Sequence, residues 1–176
     1  IRKGQNYEAV LSVKQGKFIL NGKPVTAYAE PRMLLTDFLR QELGLTEIRV
    51  GCEHGVCGTC TIQLDGRPAR GCLTFAVQVQ GHRVDTVQSL AGPGGALNDL
   101  QLAFRKHHGL QCGYCTPGIL MSVSAFLQIN ANPSEEEVRE MLSGHLCRCT
   151  GYVGMVRAVL DVVKSRQKTA PIQASA

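Results

Sequence analysis

Residues 51–60 read Gly51-Cys52-Glu53-His54-Gly55-Val56-Cys57-Gly58-Thr59-Cys60, and a fourth thiol, Cys72, follows downstream. Glycines at 51, 55 and 58 interleave with the thiols. A loop that wraps an inorganic centre must aim backbone N–H groups inward and pass through positive φ, which glycine permits without a Cβ clash. The other half of the chain's eight cysteines form a second set, Cys112, Cys115, Cys147 and Cys149, and none is left over. Two sets of four thiols, one C-x4-C-x2-C plus a downstream Cys and the other C-x2-C plus C-x-C, suit four-thiolate ligation of two centres.

A chain of 176 residues has room for one domain of common size or two small ones, and two separated thiol sets favour two. Each core is then modest. Small cores often lean on a bound metal, so each centre is expected to be a folding element as well. The formal charge of +5 is spread along the chain without a run of like charges, and there is no Trp. Nucleic-acid binding would ask for a basic stripe with interleaved aromatics, so the charge reads as a solvated surface. No stretch approaches the roughly 20 apolar residues of a membrane span, and the polar start Ile1 to Asn6 lacks a signal-peptide core. The expected location is cytoplasmic, where cysteines serve as metal ligands rather than disulfides.

Around the first set the pattern is α+β. Phe18-Ile19-Leu20, the turn Asn21-Gly22 and the stretch Lys23 to Ala29 predict a hairpin over 17–30, since a type I′ turn needs positive φ at both central residues. Leu34, Leu35, Phe38 and Leu39 predict a helix from Met33 to Leu43, ended by Gly44. Shorter strands are expected at Thr61 to Leu64, Pro68 to Gly71 and Gln78 to Val84, the first two joined by Asp65-Gly66. Between Asp85 and Gly95 the composition turns to Gly, Pro, Ser and Ala, which marks a boundary. Beyond it four amphipathic helices are expected. They carry Leu97, Leu100 and Phe104; Ile119, Leu120, Val123, Phe126 and Leu127; a third opening at Pro133 with a Ser134/Glu137 capping box; and Val153, Val156, Leu160 and Val163. The division is an N-terminal extension at 1–16, a sheet domain at 17–86, a helical domain at 87–168 and a tail at 169–176.

The spacing of Cys52, Cys57, Cys60 and Cys72 is that of a plant-type [2Fe-2S] centre. Zinc is the alternative, though its usual arrangement is two short Cys pairs on opposed knuckles. His54 reads as a solvated loop residue, because a full thiol set surrounds it. In the second set, Thr116 is placed to cap a helix with Pro117 at its first position, and Cys147-Arg148-Cys149-Thr150-Gly151-Tyr152 runs into another helix. Two positive helix ends aimed at an anionic reduced centre would favour reduction. A catalytic dithiol explains C-x2-C alone but not the C-x-C pair. Tyr114 is expected to pack, His107 and His108 to lie exposed at a helix end, and His145 beside Cys147 is open.

The plant-type spacing followed by Gln111-Cys112-Gly113-Tyr114-Cys115-Thr116-Pro117-Gly118 and Leu146-Cys147-Arg148-Cys149-Thr150-Gly151-Tyr152 resembles the iron-sulfur (small) subunit of molybdenum hydroxylases of the xanthine oxidase family. The resemblance covers roughly residues 17–165 and departs at none of the eight thiols. It implies an N-terminal β-grasp, plant-type ferredoxin-like domain followed by an all-α four-helix-bundle domain, each with one [2Fe-2S] cluster. It further implies a large molybdopterin-binding subunit, a medium FAD-binding subunit and assembly as a dimer of heterotrimers. Substrate is hydroxylated with water-derived oxygen in the large subunit, and electrons leave through the helical-domain cluster, then the plant-type cluster, then FAD. Gln111 and Cys149 are implied pterin contacts, while the Glu53 to Val56 loop faces the flavin. No general base or nucleophile stands out, and none is needed for electron transfer. A free-standing two-cluster ferredoxin and a zinc-bound interaction module are the alternatives; co-purifying large subunits and red-brown colour, respectively, distinguish them.

Overall fold

In a computed structural model, residues 14–169 are described. Residues 1–13 of the expected extension and 170–176 of the tail lie outside the described residues. The expected hairpin forms between β1 (Lys14–Leu20) and β2 (Lys23–Ala29), with Asn21 and Gly22 at φ 49° and 79°. Its position in the molecule is fixed by a side chain. Asn21 accepts from the Thr86 amide at 2.8 Å and donates to the Thr86 hydroxyl at 3.0 Å, tying the turn to the end of the sheet.

The sheet is completed by β3 (Thr61–Leu64), β4 (Arg67–Arg70) and β5 (Arg83–Asp85) in the order β2-β1-β5-β3-β4. β1 and β5 run parallel at its centre, and the other pairings are antiparallel. One helix, α1 (Leu35–Asp37), lies on it and widens at once into a π-helical turn over Phe38–Glu42. Leu35, Phe38 and Leu39 are buried with Phe18, Ile48, Ile62 and Val84, and the Phe18 and Phe38 rings meet 6.1 Å apart. A helix crossing a mixed sheet with a parallel central pair is the β-grasp arrangement.

Two expectations here need correction. The helix does not reach back to Met33, because Met33 and Leu34 are held extended by residues 74–76: Leu35 N–H donates to Thr74 O at 2.7 Å and Ala76 N–H to Met33 O at 2.8 Å. The strand expected over Gln78 to Val84 is instead a 3-10 turn at Ala76–Val79, a left-handed Gly81, and strand only from Arg83. Residues 76–79 lie against β1 without entering its ladder, and Gly81 N–H is taken by Lys17 O at 2.8 Å.

The second half is helical: α2 (Asp99–Lys106), α3 (Thr116–Ile129), α4 (Glu135–Ser143) and α5 (Tyr152–Thr169). Leu100, Phe104, Ile119, Val123, Leu142, Met155 and Val159 form their common core. Leu97 is not part of it. Asn98 caps α2, which leaves Leu97 outside the helix and 44% exposed. Val153 is likewise 52% exposed, and α5 buries Met155, Val156 and Val159 instead. The halves meet closely, with α3 against β3, and the buried Gln63 amide donates to Met121 O at 2.9 Å.

The capping box at α4 forms as expected. Glu137 N–H donates to Ser134 Oγ at 3.2 Å, and Ser134 N–H to the Glu137 carboxylate at 2.7 Å. Ser134→Ala should therefore lower unfolding free energy by about 1 kcal/mol in urea titrations, and an unchanged midpoint would contradict the capping role.

Candidate iron-sulfur centres

The eight thiols assemble into two groups of four. Cys52 interacts with Cys57, and Cys60 with both Cys72 and Cys57; Cys112 interacts with Cys149, and Cys115 with both Cys147 and Cys112. None is joined in a disulfide. Each group has an outer and an inner side. Cys112 is exposed and Cys52 half-buried, whereas Cys60, Cys72 and Cys115 are buried. The sequence brings this about with loop geometry in the first group. In the second, C-x2-C leads into α3, and the C-x-C pair lies just before α5.

The acidity of the thiols follows this asymmetry. The Cys57 amide N–H, 3.4 Å from Cys52 Sγ, and further backbone donors hold the Cys52 thiol down to about 6. The Tyr114 amide, 3.5 Å from Cys112 Sγ, lowers that thiol in the same way. Burial pushes Cys60 up to about 11 and Cys115 up to about 12. A buried thiol of this kind gives up its proton when a cation takes its place, so the inner ligands become thiolates on metal binding.

These residues fit a two-iron cluster better than a single ion. A two-iron cluster takes two sulfurs on each iron, and each group supplies four thiols. Among the described residues no three His, Cys, Asp or Glu side chains are arranged to hold one metal ion. Buried polar atoms also lie close to the loops. Thr36 Oγ1, Thr116 Oγ1 and His145 Nδ1 are buried polar atoms without a hydrogen-bond partner. All three adjoin cysteine-bearing segments: Thr36 packs on Gly71, Thr116 follows Cys115, and His145 covers Gly58. An anionic, sulfur-rich group would supply acceptors in such surroundings. Thr116 is the first residue of α3 and makes no capping bond; Cys115 occupies the cap position, contrary to the expected cap.

Several other residues have roles that spacing did not show. His145 is buried at 3% exposure, with Nε2 2.7 Å from Ser122 Oγ, and burial reinforced by the Arg70 charge pushes its pKa down to about 4. Arg70 donates to Gly55 O at 3.3 Å and to Gly144 O at 2.7 Å, joining the first thiol loop to the segment before Cys147. It also donates to Thr61 Oγ1. Tyr114 is 47% exposed, not packed; its hydroxyl donates to Val50 O at 2.8 Å, and Arg49 lies over its ring. Tyr152 Oη accepts from Cys147 N–H at 2.7 Å and donates to His145 O at 3.0 Å. His107 is partly buried against Asp161 at 2.8 Å, while His54 is exposed and contacts Cys52 O. The only sequence signal for Arg70, His145, Tyr114 and Tyr152 was a position one to three places from a cysteine.

At the junction, backbone meets backbone. Gly58 takes φ +75° under His145, and a Cβ on Gly118 would strike Gly58 O and come 2.6 Å from Thr59 O. The Leu146 amide donates to Cys57 O at 2.9 Å. On the outer side of the second group, the Gln111 side-chain amide donates to Cys149 O at 2.9 Å, placing both expected pterin contacts together at the surface.

Two family models match, a 2Fe-2S iron-sulfur cluster binding domain over residues 18–87 and a [2Fe-2S] binding domain over residues 86–160. The chain is 52% identical over 146 residues to caffeine dehydrogenase subunit gamma of Pseudomonas sp. (strain CBB1), covering 81% of this chain and 87% of the relative. It is 53% identical over 142 residues to the nicotine 6-hydroxylase small subunit of Paenarthrobacter nicotinovorans, covering 81% and 85%. A chain of quinoline 2-oxidoreductase from Pseudomonas putida 86 superposes with TM-score 0.85 at 48% identity, covering 89% of this chain and 98% of that one. Aldehyde oxidoreductase from Desulfovibrio desulfuricans gives 0.83 at 38% identity, and there the match spans 17% of a longer chain.

Two outcomes check this geometry. Purified protein should be red-brown and contain about four irons and four labile sulfides, and a colourless zinc-loaded protein would contradict it. Gly118→Ala should cost about 1–3 kcal/mol in urea unfolding, because backbone stands where the methyl would go; a cost below about 0.5 kcal/mol would contradict the contact.

Proposed function

The chain belongs to the iron-sulfur (small) subunits of the xanthine oxidase family of molybdenum hydroxylases, and from that premise we propose how its residues serve electron transfer within a multi-subunit oxidoreductase. Cys52, Cys57, Cys60 and Cys72 hold the plant-type cluster, and Cys112, Cys115, Cys147 and Cys149 hold the second. Residues 17–86 and 87–168 form the two domains. Electrons come from a molybdopterin-binding large subunit and leave to FAD in a medium subunit, the whole assembling as a dimer of heterotrimers in the cytoplasm.

The observation that carries this reading is the gathering of eight thiols into two groups of four, each with one side open toward the surface. Each cluster, when bound, takes up and releases one electron at a time. The chain does the rest. Backbone N–H groups of Cys57 and Tyr114 reach the outer sulfurs and favour the more negative state. The N-terminus of α3 begins at Cys115 and adds its dipole in the same sense. Burial of Cys60, Cys72 and Cys115 keeps water from the inner side. Gln111, hydrogen-bonded to Cys149 O, fixes the exposed edge where the pterin would approach. Val56 and Leu73, both more than half exposed beside the first cage, offer an apolar surface to the flavin subunit.

Among the described residues no helix is long and apolar enough to cross a membrane. The relatives named for caffeine, nicotine and quinoline support an N-heterocycle as the substrate of the assembled complex, bound by the partner chain. In the complex, Cys149→Ala should lower substrate-dependent flavin reduction by about 10–100-fold while the plant-type cluster spectrum persists. Normal turnover in that variant would overturn the assignment.

A further inference from the structure

The short stretch that brings Cys112 to the second cage lies outside the core of its own half. Gln111, Cys112 and Tyr114 are exposed, Gly113 takes φ 77°, and none of the four packs into the helical core. Two side chains tie the stretch down. Gln111 reaches Cys149 O at 2.9 Å, which stays within the cage. Tyr114 reaches into the other half: its hydroxyl donates to Val50 O at 2.8 Å, across 64 residues of sequence.

Val50 is a firm anchor. Arg40 donates to Thr46 O at 2.9 Å and to Ile48 O at 2.6 Å, and Ile48 is buried in the core of the sheet domain. On the other side of Val50, Gly51 passes so close to Cys57 that a Cβ there would stand 3.2 Å from its sulfur. The Arg49 guanidinium lies 5.7 Å from the centre of the Tyr114 ring, a cation–π contact that holds the ring as well as the hydroxyl. The main chain of Tyr114 has a different task. Its amide donates to Cys112 Sγ at 3.5 Å. Cys112 is the exposed thiol of this cage, so the iron it holds is the one that water and chelators reach first. A hydrogen bond to a ligand sulfur steadies the ligand and favours the reduced cluster.

We infer that Tyr114 is a positioning residue for the second cluster: its hydroxyl, anchored on Val50 O, keeps its amide on Cys112 Sγ, so the sheet domain sets how firmly the helical domain's cluster is held. The inference rests on both clusters being bound as proposed above. The hydroxyl acts through the backbone and not by touching sulfur. Removing it leaves all four thiols and the amide in the chain, but frees the turn that aims the amide. The second cluster should then lose iron more readily and become harder to reduce, while the first, whose four thiols lie in residues 52–72, keeps its properties.

Tyr114→Phe tests this on the full chain loaded with both clusters, because it deletes the hydroxyl and leaves the ring beneath Arg49. The chain is incubated with the iron chelator bathophenanthroline disulfonate, and the surviving clusters are counted from their separate EPR signals, assigned through Cys52→Ser. Loss of the second cluster should be about 10-fold faster than in the unsubstituted chain, with loss of the first unchanged. In an EPR redox titration the midpoint potential of the second cluster should fall and that of the first should stay put. Unchanged release, or equal acceleration at both clusters, overturns the inference. Should Tyr114→Phe fail to fold, Arg49→Met asks the same question from the other half. It lies three residues before Cys52 yet should speed loss of the second cluster, and faster loss of the first alone overturns the inference. An unsubstituted chain that binds fewer than two clusters would instead remove the reading on which this one depends, and its EPR spin count separates that failure from the others.

Discussion

Direct backbone contact between the two thiol loops is the constraint on which the rest of the molecule depends. Gly58 lies under His145, Gly118 presses on the carbonyls of Gly58 and Thr59, and Leu146 donates to Cys57. No side chain fits between these strands of chain. The α+β half and the helical half are each built around their own core, yet their thiol loops converge at one junction. A larger residue at position 58 or 118 would separate two cages whose usefulness lies in being close.

The polar groups at the junction show why the arrangement belongs to a bound cluster. Buried polar atoms without partners cost about 1–3 kcal/mol each, and Thr36, Thr116 and His145 all place such atoms beside cysteine-bearing segments. Buried Cys60 and Cys115 resist ionisation until a cation replaces the proton, whereas Cys52 and Cys112 are prepared for it by backbone N–H groups. His145 remains uncharged because it is buried next to Arg70, whose guanidinium already supplies the positive charge at the junction. Folding and cluster binding are therefore two descriptions of one equilibrium.

The legible parts of the fold were those set by local chemistry. Asn21-Gly22 fixed a hairpin because its two backbone angles admit few residues, and Ser134 with Glu137 fixed a helix start by satisfying its orphan amides. Cysteine spacing similarly marked both cages. What was not legible depends on contacts distant in sequence. Met33 and Leu34 look helical but are drawn straight by residues 74–76, and of the strand expected over Gln78 to Val84 only the part from Arg83 is paired in the sheet. Arg70 and His145 carry no motif, and the contacts that hold them, with Gly55, Gly144 and Ser122, lie far away in sequence or outside any recognisable pattern. Tyr114 looks like a packing residue until Val50 and Arg49 are brought beside it.

With one cluster for each set of four thiols, a single chain holds two magnetically distinct [2Fe-2S] clusters. Double integration of the EPR spectrum of the dithionite-reduced chain tests it most directly. Two separate rhombic signals of about one spin each are predicted from two four-thiolate clusters of this type. A single signal of about one spin, or none from an iron-free protein, would contradict it.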